Sequence, residues 1–166
     1  MIKIVIDTNI LISAILTPGR VRNTLLNPQT HPHAPKRIIT ETIKHADKIS
    51  RYTGIEAGIL KPLLQQTLPR WIATHNEEQI PPGVRERAKR LVKDVDPDDW
   101  PFVALSMHLG IPLWTGDKEL IKLAVRTEFQ HFKALDTRGV EMLLEGKPWS
   151  EVEEYLRREY GREEVG

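Results

Sequence analysis

Three aspartates of this sequence stand where carboxylates can converge and hold a metal ion. Asp7 ends the mainly apolar segment 3–6, which has the pattern of a strand buried on both faces. Asp99 opens an apolar helical segment, and Asp117 follows the next short apolar strand, 18 residues further on. Because a helix that packs back on a parallel sheet returns the chain to the same edge, we expect the three carboxylates to face one pocket there.

Three carboxylates packed together repel one another and raise one another's pKa values unless a cation lies between them. The sequence has no cysteine, which excludes disulfides, thiolate metal sites and thiol nucleophiles. Oxygen ligands favour a hard divalent cation, so we expect Mg²⁺ or Mn²⁺ as the cofactor. Such a site suits the hydrolysis of a phosphodiester bond by water.

The alternation of short apolar strands with helical segments predicts an α/β fold. Further strands are expected near residues 33–34, at 111–114 and at 132–135, each next to a helical pattern. This alternation predicts a three-layer α/β/α sandwich around a central parallel sheet of four or five short strands. Such a sheet provides the edge that the three aspartates require.

Two helical regions of the first half carry further expectations. Residues 36–49 show the apolar stripe of one helix, with Glu41 in an early turn. Residues 55–80 contain Pro62 and Pro69, which interrupt helical hydrogen bonding. We therefore expect a broken helical arm of two helices over this region.

Residues typical of helix starts occur at 96–99 and at the beginning of the C-terminal helix. Asp96 has the position of a helix cap, and Pro97 has that of the first helical residue. Since Asp96 and Asp98 already serve the helix start, Asp99 is available for another role. Near the end of the chain, Ser150 and Glu153 have the spacing of a capping box.

Composition limits the class of protein. The 166 residues, 40% of them hydrophobic and 28% charged, predict one soluble domain spanning 1–166. No apolar run reaches the roughly 20 residues that span a bilayer, and the N-terminus lacks a signal-peptide pattern, so we expect a cytoplasmic protein. A net charge of +1 gives no overall basic field that would attract nucleic acid.

Two segments of the chain resemble the PIN-domain ribonucleases, a family that includes the toxins of VapBC toxin–antitoxin modules. They are IVIDTNILISAIL at the start and DDWPFVALSMHLGIPLWTGDKEL late in the chain. The acid, the helix ending in glycine and the strand ending in Thr-x-Asp come in the order of that family. The resemblance implies a PIN-like sandwich, RNA as the substrate, a homodimer and a possible antitoxin partner.

The resemblance also implies roles for individual residues. Four acids match the catalytic, metal-binding set, two polar residues match positions that orient the substrate, and two further acids match supporting or second-metal positions. In this sequence the three groups are Asp7, Glu41, Asp99 and Asp117; Asn9 and Thr115; and Asp96 and Glu119.

Other functions remain open at this point. A haloacid-dehalogenase-type phosphatase also begins with a strand ending in Asp, but it needs a second Asp where this chain has Asn9. A PIN-like domain without activity would bind RNA or a protein partner. Four cations near the acidic segments are candidate phosphate contacts, His31 and His33 are a weak candidate metal pair, and two tryptophans are expected in the core. The cations are Arg20, Arg22, Lys118 and Lys122, and the tryptophans are Trp100 and Trp114.

Overall fold

A five-stranded, all-parallel sheet forms the centre of the molecule in the computed structural model, which describes residues 1–162. The strand order is β3-β2-β1-β4-β5. The strands are β1 (Ile2–Ile6), β2 (Thr30–Pro35), β3 (Ala73–His75), β4 (Leu113–Trp114) and β5 (Ala134–Leu135).

Helices cover both faces of this sheet. Right-handed crossovers between parallel strands place α1 to α5 on one face and α6 to α8 on the other. The helices are α1 (Thr8–Leu16), α2 (Arg20–Leu25), α3 (Arg37–Lys44), α4 (Ala46–Thr53), α5 (Ala57–Trp71), α6 (Pro82–Val92), α7 (Trp100–Leu109), α8 (Lys118–Arg126), α9 (Thr137–Leu144) and α10 (Trp149–Tyr160), with 3₁₀ turns at Glu77–Gln79 and Pro97–Asp99. The predicted α/β/α sandwich with a parallel sheet is confirmed.

The two central strands place the acidic segments side by side. In the register of β1 and β4, Val5 lies opposite Leu113 and Ile6 lies opposite Trp114. All four side chains are fully buried, which explains why neither strand alternates between apolar and polar residues. The chain leaves β1 towards β2 on one side and leaves β4 towards β5 on the other. Asp7 and Thr115 therefore follow neighbouring strands at the point where the strand order reverses.

The predicted two-helix arm over residues 55–80 is wrong in detail. One helix, α5, continues through both Pro62 and Pro69, and the chain then forms the edge strand β3. Leu60, Leu64 and Leu68 recur every four residues on the buried face of α5 and pack in the core. This packing offsets the roughly 3 kcal/mol that an interior proline costs a helix.

Two helix boundaries also differ from the sequence-based expectation. The helix predicted over 36–49 is interrupted at His45, where α3 ends and α4 begins. The capping box at Ser150 does not form, because α10 begins at Trp149 and Glu153 pairs with Arg157 instead. The described part of the chain has no helix with the length and hydropathy needed to cross a membrane.

A partly buried carboxylate joins the last helix to the rest of the fold. Asp136 follows β5 and accepts hydrogen bonds from the hydroxyls of Tyr155 (2.7 Å) and Tyr160 (2.6 Å) on α10. Its other oxygen accepts from the backbone N–H of Gly139 at the start of α9 (2.8 Å). One side chain thus begins α9 and positions α10.

We expect Tyr160→Phe to lower the free energy of unfolding by about 1–2 kcal/mol, since it deletes one hydrogen bond to a charged group. Urea unfolding followed by circular dichroism measures the change. The matched control is Tyr52→Phe, because the Tyr52 side chain is 69% exposed. Equal stabilities of the two variants would contradict the role of Asp136 in holding α10.

Candidate metal centre

Asp7 is held in one orientation at the carboxyl end of β1. Its side chain is 5% exposed, and one carboxylate oxygen accepts a hydrogen bond from the backbone N–H of Ile10 at 2.9 Å. This contact makes Asp7 the N-cap of α1. The other oxygen accepts from the hydroxyl of Thr115 at 2.6 Å. Capping fixes the carboxylate and leaves it at the sheet edge, so Asp7 can both cap α1 and bind a metal ion.

Thr115 connects Asp7 to Asp117. Its fully buried hydroxyl donates to Asp7 and accepts from the backbone N–H of Asp117 at 3.0 Å. Asp117 in turn caps α8, accepting at one oxygen from the N–H groups of Glu119 (2.9 Å) and Leu120 (3.4 Å). The hydroxyl of Thr115 thus contacts both Asp7 and Asp117, and its expected role in orienting substrate stays a prediction.

Asp96, Asp99 and Asp117 form the tightest group of acids at this edge. Each presents a carboxylate oxygen, and these oxygens all lie within 4.8 Å of one another. Neither Asp96 nor Asp99 makes a side-chain capping hydrogen bond, although each occupies the N-cap position of a helical segment. Helix capping therefore does not account for either side chain.

The electrostatics of the group are those of a cation site. Burial, followed by the charges of Asp96, Asp7 and Asp117, raises the pKa of Asp99 to about 8. Burial also raises the pKa of Asp7, with a smaller contribution from Asp117, against the lowering effect of its hydrogen bonds. Below about pH 8, the acids carry their full negative charge together only if a cation joins them.

A cavity of about 250 Å³ opens beside these acids. Its lining includes Asp7, Asp96, Asp98 and Asp99, and it also includes Glu41 from α3. The hydroxyl of Thr8 donates to the Glu41 carboxylate. Asn9 is exposed and contributes to the same lining.

Six of the eight residues singled out by resemblance therefore line the cavity or belong to the close acidic group. Of the other two, Thr115 lies directly beneath, and Glu119 points away. The Glu119 side chain is 61% exposed and pairs with Lys122 at 3.3 Å on the surface of α8. Asp96 lies closer to the centre than expected, because the 3₁₀ turn Pro97–Asp99 brings its carboxylate next to Asp99.

Two of the four candidate RNA-contacting cations, Arg20 and Arg22, contact other parts of the protein. Arg20 pairs with Glu141 on α9, and Arg22 donates to the carbonyls of Ala14 (2.7 Å) and Ile15 (3.0 Å) at the end of α1. Lys118 is exposed at the start of α8. These contacts give Arg20 and Arg22 structural roles in holding α1, α2 and α9 together.

The two tryptophans expected in the core have different surroundings. Trp114 is fully buried in β4, as expected. Trp100, next to Asp99, is only partly buried, with the Lys89 ammonium 4.7 Å and the Arg37 guanidinium 5.4 Å from its ring centroid. The sequence does not show these cation–π contacts or the Thr8–Glu41 hydrogen bond, because each joins residues of separate elements.

The donor set fits a hard divalent cation. All close ligand atoms are carboxylate oxygens, which suit Mg²⁺ or Mn²⁺. Burial and then the neighbouring carboxylates raise the pKa of Asp99, and a bound cation would offset both effects. The carboxylates lie on rigid elements at the carboxyl edge of a parallel sheet. The arrangement can bind a cation and present it to a phosphate group in the cavity.

We expect Thr115→Val to weaken Mn²⁺ binding about tenfold, since it removes the hydroxyl that orients Asp7 and supports Asp117. Isothermal titration calorimetry measures the affinity. Thr127→Val is the matched control, because the Thr127 hydroxyl bonds only to carbonyls of its own helix at the far end of α8. Equal affinities of the two variants would contradict this role of Thr115.

Comparison with known proteins identifies the fold. The sequence matches the PIN domain over residues 5–154, a span that contains strands β2 to β5, the end of β1, all the acids at the sheet edge and the first half of α10. A comparison with curated proteins found no match. PIN domains are generally nucleases, whereas the phosphatase alternative requires an Asp at the position of Asn9. The chain belongs to the PIN-domain family.

Proposed function

We propose that this protein is a divalent-metal-dependent endoribonuclease that hydrolyses RNA phosphodiester bonds at the acidic cavity. The observation that carries the proposal is the close group of Asp96, Asp99 and Asp117 at the carboxyl edge of a PIN-domain sheet. Asp7 and Glu41 add two further carboxylates to the lining of the cavity. A cluster of partly buried carboxylates is costly for the fold alone, and metal binding gives a reason for it.

Asp96, Asp99 and Asp117 would hold Mg²⁺ or Mn²⁺, with Asp7 behind them. When bound, the cation lowers the pKa of a water molecule and neutralises charge on the phosphate oxygens. Glu41, oriented by Thr8, lines the same cavity and can accept a proton from the attacking water.

The remaining residues of the site orient and support. Thr115 and the backbone N–H of Ile10 hold Asp7, so its carboxylate does not have to reorganise when a ligand binds. Asn9 is exposed at the cavity and can donate its amide hydrogens to a phosphate oxygen or a sugar hydroxyl. The backbone of α1 fixes the positions of Asp7, Thr8 and Asn9 relative to one another.

The test is cleavage of a mixed set of single-stranded RNAs by the wild-type chain and by Asp7→Asn. We expect fragments from the wild type that require Mg²⁺ or Mn²⁺ and disappear with EDTA, and we expect none from Asp7→Asn. If neither protein cleaves any RNA while both bind it, the chain is an RNA-binding PIN domain without activity. Equal cleavage by both proteins would contradict the assigned site.

We also propose that the protein acts as a VapC-like toxin with a protein antitoxin, and that it forms a homodimer. Exposed apolar side chains on α4 and α5 support a protein partner, with Tyr52 69%, Ile59 60% and Leu63 44% exposed. Co-expression with the product of the neighbouring reading frame, followed by size-exclusion chromatography with light scattering, tests both parts. A monomer that binds no such product would contradict them.

A further inference from the structure

A pair of histidine side chains meets on the sheet itself, apart from the acidic cavity. His33 of β2 and His75 of β3 share a hydrogen bond, with 2.9 Å between Nδ1 of His33 and Nε2 of His75. The ring centroids are 5.2 Å apart, and the ring planes differ by 24°. The sequence separates the two residues by 42 positions, so no local pattern reveals the pair.

The strand register fixes this approach. In the parallel pairing of β2 and β3, His33 lies opposite Ala73 and Pro35 lies opposite His75. Residues opposite each other in a parallel ladder, and residues two positions along, point to the same face of the sheet. The two imidazoles are therefore diagonal neighbours on one face, and both are attached to hydrogen-bonded backbone.

The nitrogen separation matches that of two ligands on one metal ion. Imidazole nitrogens bind Zn²⁺ at about 2.0–2.1 Å, which places two of them about 2.9–3.4 Å apart at angles between 90° and 110°. To bind one ion, the rings would rotate about their Cβ–Cγ bonds so that the two lone pairs point to one position. The existing backbone thus provides two of the ligands of such a site.

The surroundings of the pair favour the neutral form of both imidazoles and contain two further histidines. Burial is the main cause that lowers the pKa of His33 and of His75, and the charge of each neighbouring histidine acts in the same direction. Those neighbours include His31, which lies two positions before His33 on the same strand, and His108 on α7. Neutral imidazole is the form that binds metals.

We propose that His33 and His75 bind one imidazole-preferring transition-metal ion, with Zn²⁺ as its representative, and that this ion links β2 to the edge strand β3. The site differs in chemistry from the acidic cavity, whose oxygen ligands suit Mg²⁺ or Mn²⁺.

Metal binding here would act on the structure next to the acidic cavity. The carbonyl of His75 accepts from the backbone N–H of Lys36 at 2.9 Å, and Glu77, two residues further on, pairs with Arg37. Arg37 precedes Glu41 by one turn of α3. A metal ion that fixes His75 therefore stabilises the end of β3 and, through Glu77, the start of the helix that carries Glu41.

The experiment is calorimetric titration of the full chain with Zn²⁺ in an excess of Mg²⁺, which competes for carboxylates and leaves imidazoles available. We expect about one Zn²⁺ per chain. His33→Gln and His75→Gln should each weaken its binding at least about tenfold, whereas the exposed control His131→Gln should not. Substitution of Zn²⁺ by Co²⁺ should give a visible absorption band that both ligand variants lose.

Asp99→Asn separates this site from the acidic one. Zn²⁺ binding that survives His33→Gln and His75→Gln, or that disappears in Asp99→Asn, would overturn the proposal. If the histidine variants do not fold, imidazole nitrogen resonances of the wild type provide the second measurement. Zn²⁺ should shift the resonances of His33 and His75 in that experiment, and unchanged resonances would overturn the proposal. Neither result depends on whether the protein cleaves RNA.

Discussion

Asp99→Asn should reduce metal-dependent RNA cleavage by about 10²–10³-fold. Asp99 lies among Asp96, Asp117 and Asp7, whose charges all act on it, and its carboxylate makes no capping hydrogen bond. Asparagine keeps the size of the side chain but removes the charge and one of the cation's oxygen ligands. Cleavage rates at saturating Mn²⁺ measure the effect on the reaction itself.

Asp94→Asn is the matched control, since it makes the same chemical change five residues earlier at an exposed position. It should cleave RNA at the wild-type rate. The fold of the Asp99 variant is expected to be at least as stable as that of the wild type without metal, because the substitution relieves repulsion among the acids. A loss of cleavage accompanied by loss of folding, or equal rates in both variants, would contradict the assigned role.

The affinity for Mg²⁺ or Mn²⁺ should fall about 50-fold between pH 8 and pH 6. The pKa of Asp99 is raised to about 8, chiefly by burial and then by the neighbouring carboxylates, so the metal-free site holds a proton at pH 6. A cation can bind only when this proton leaves. The affinity therefore decreases about tenfold for each pH unit well below 8 and becomes constant above it.

Calorimetry in buffers of different ionisation enthalpy measures this coupling directly. We expect about one proton released for each cation bound near pH 6 and close to none above pH 9. Asp99→Asn should bind the cation more weakly and with a much smaller dependence on pH. An affinity that stays constant from pH 6 to pH 8 would contradict a raised pKa at Asp99.

The same pKa predicts how the stability of the metal-free protein depends on pH. Below the ordinary value of 3.8, Asp99 is protonated in the folded and unfolded chain alike. Between that value and about 8, the folded chain holds the proton more tightly, so this contribution to stability is progressively lost as pH rises. Urea unfolding in EDTA should show the loss in the wild type and a smaller one in Asp99→Asn. Added Mg²⁺ should restore stability at pH 8, and a wild type that matches the variant at every pH would contradict the prediction.

The sequence by itself determined four of the five strands and the places of three of the acids at the sheet edge. Segments such as residues 3–6 are continuously apolar because both faces of a central parallel strand are buried, and this local pattern needs no knowledge of the rest of the chain. Asp7 and Asp117 follow such strands and cap the next helices, so their places at the sheet edge follow from local spacing. Asp99 was found in the same way, from its position at the start of an apolar helix.

Only the tertiary structure decided the environments of the other site residues. Asp96 looks like a helix cap in sequence, and its carboxylate lies instead with Asp99 and Asp117. Glu119 follows Asp117 by two residues in sequence, but its side chain on α8 faces solvent and pairs with Lys122. Spacing gives the position of a residue along an element, whereas the direction of its side chain depends on how that element packs.

The edge strand β3 shows the same limit most clearly. Its three residues, Ala73–His75, are too few to give a periodic pattern, and the prolines before them suggested a broken arm. The strand forms because α5 packs through its leucine face and delivers the chain alongside β2. That pairing brings His75 to His33, and a contact between residues 42 positions apart exists only once long-range strand pairing has formed.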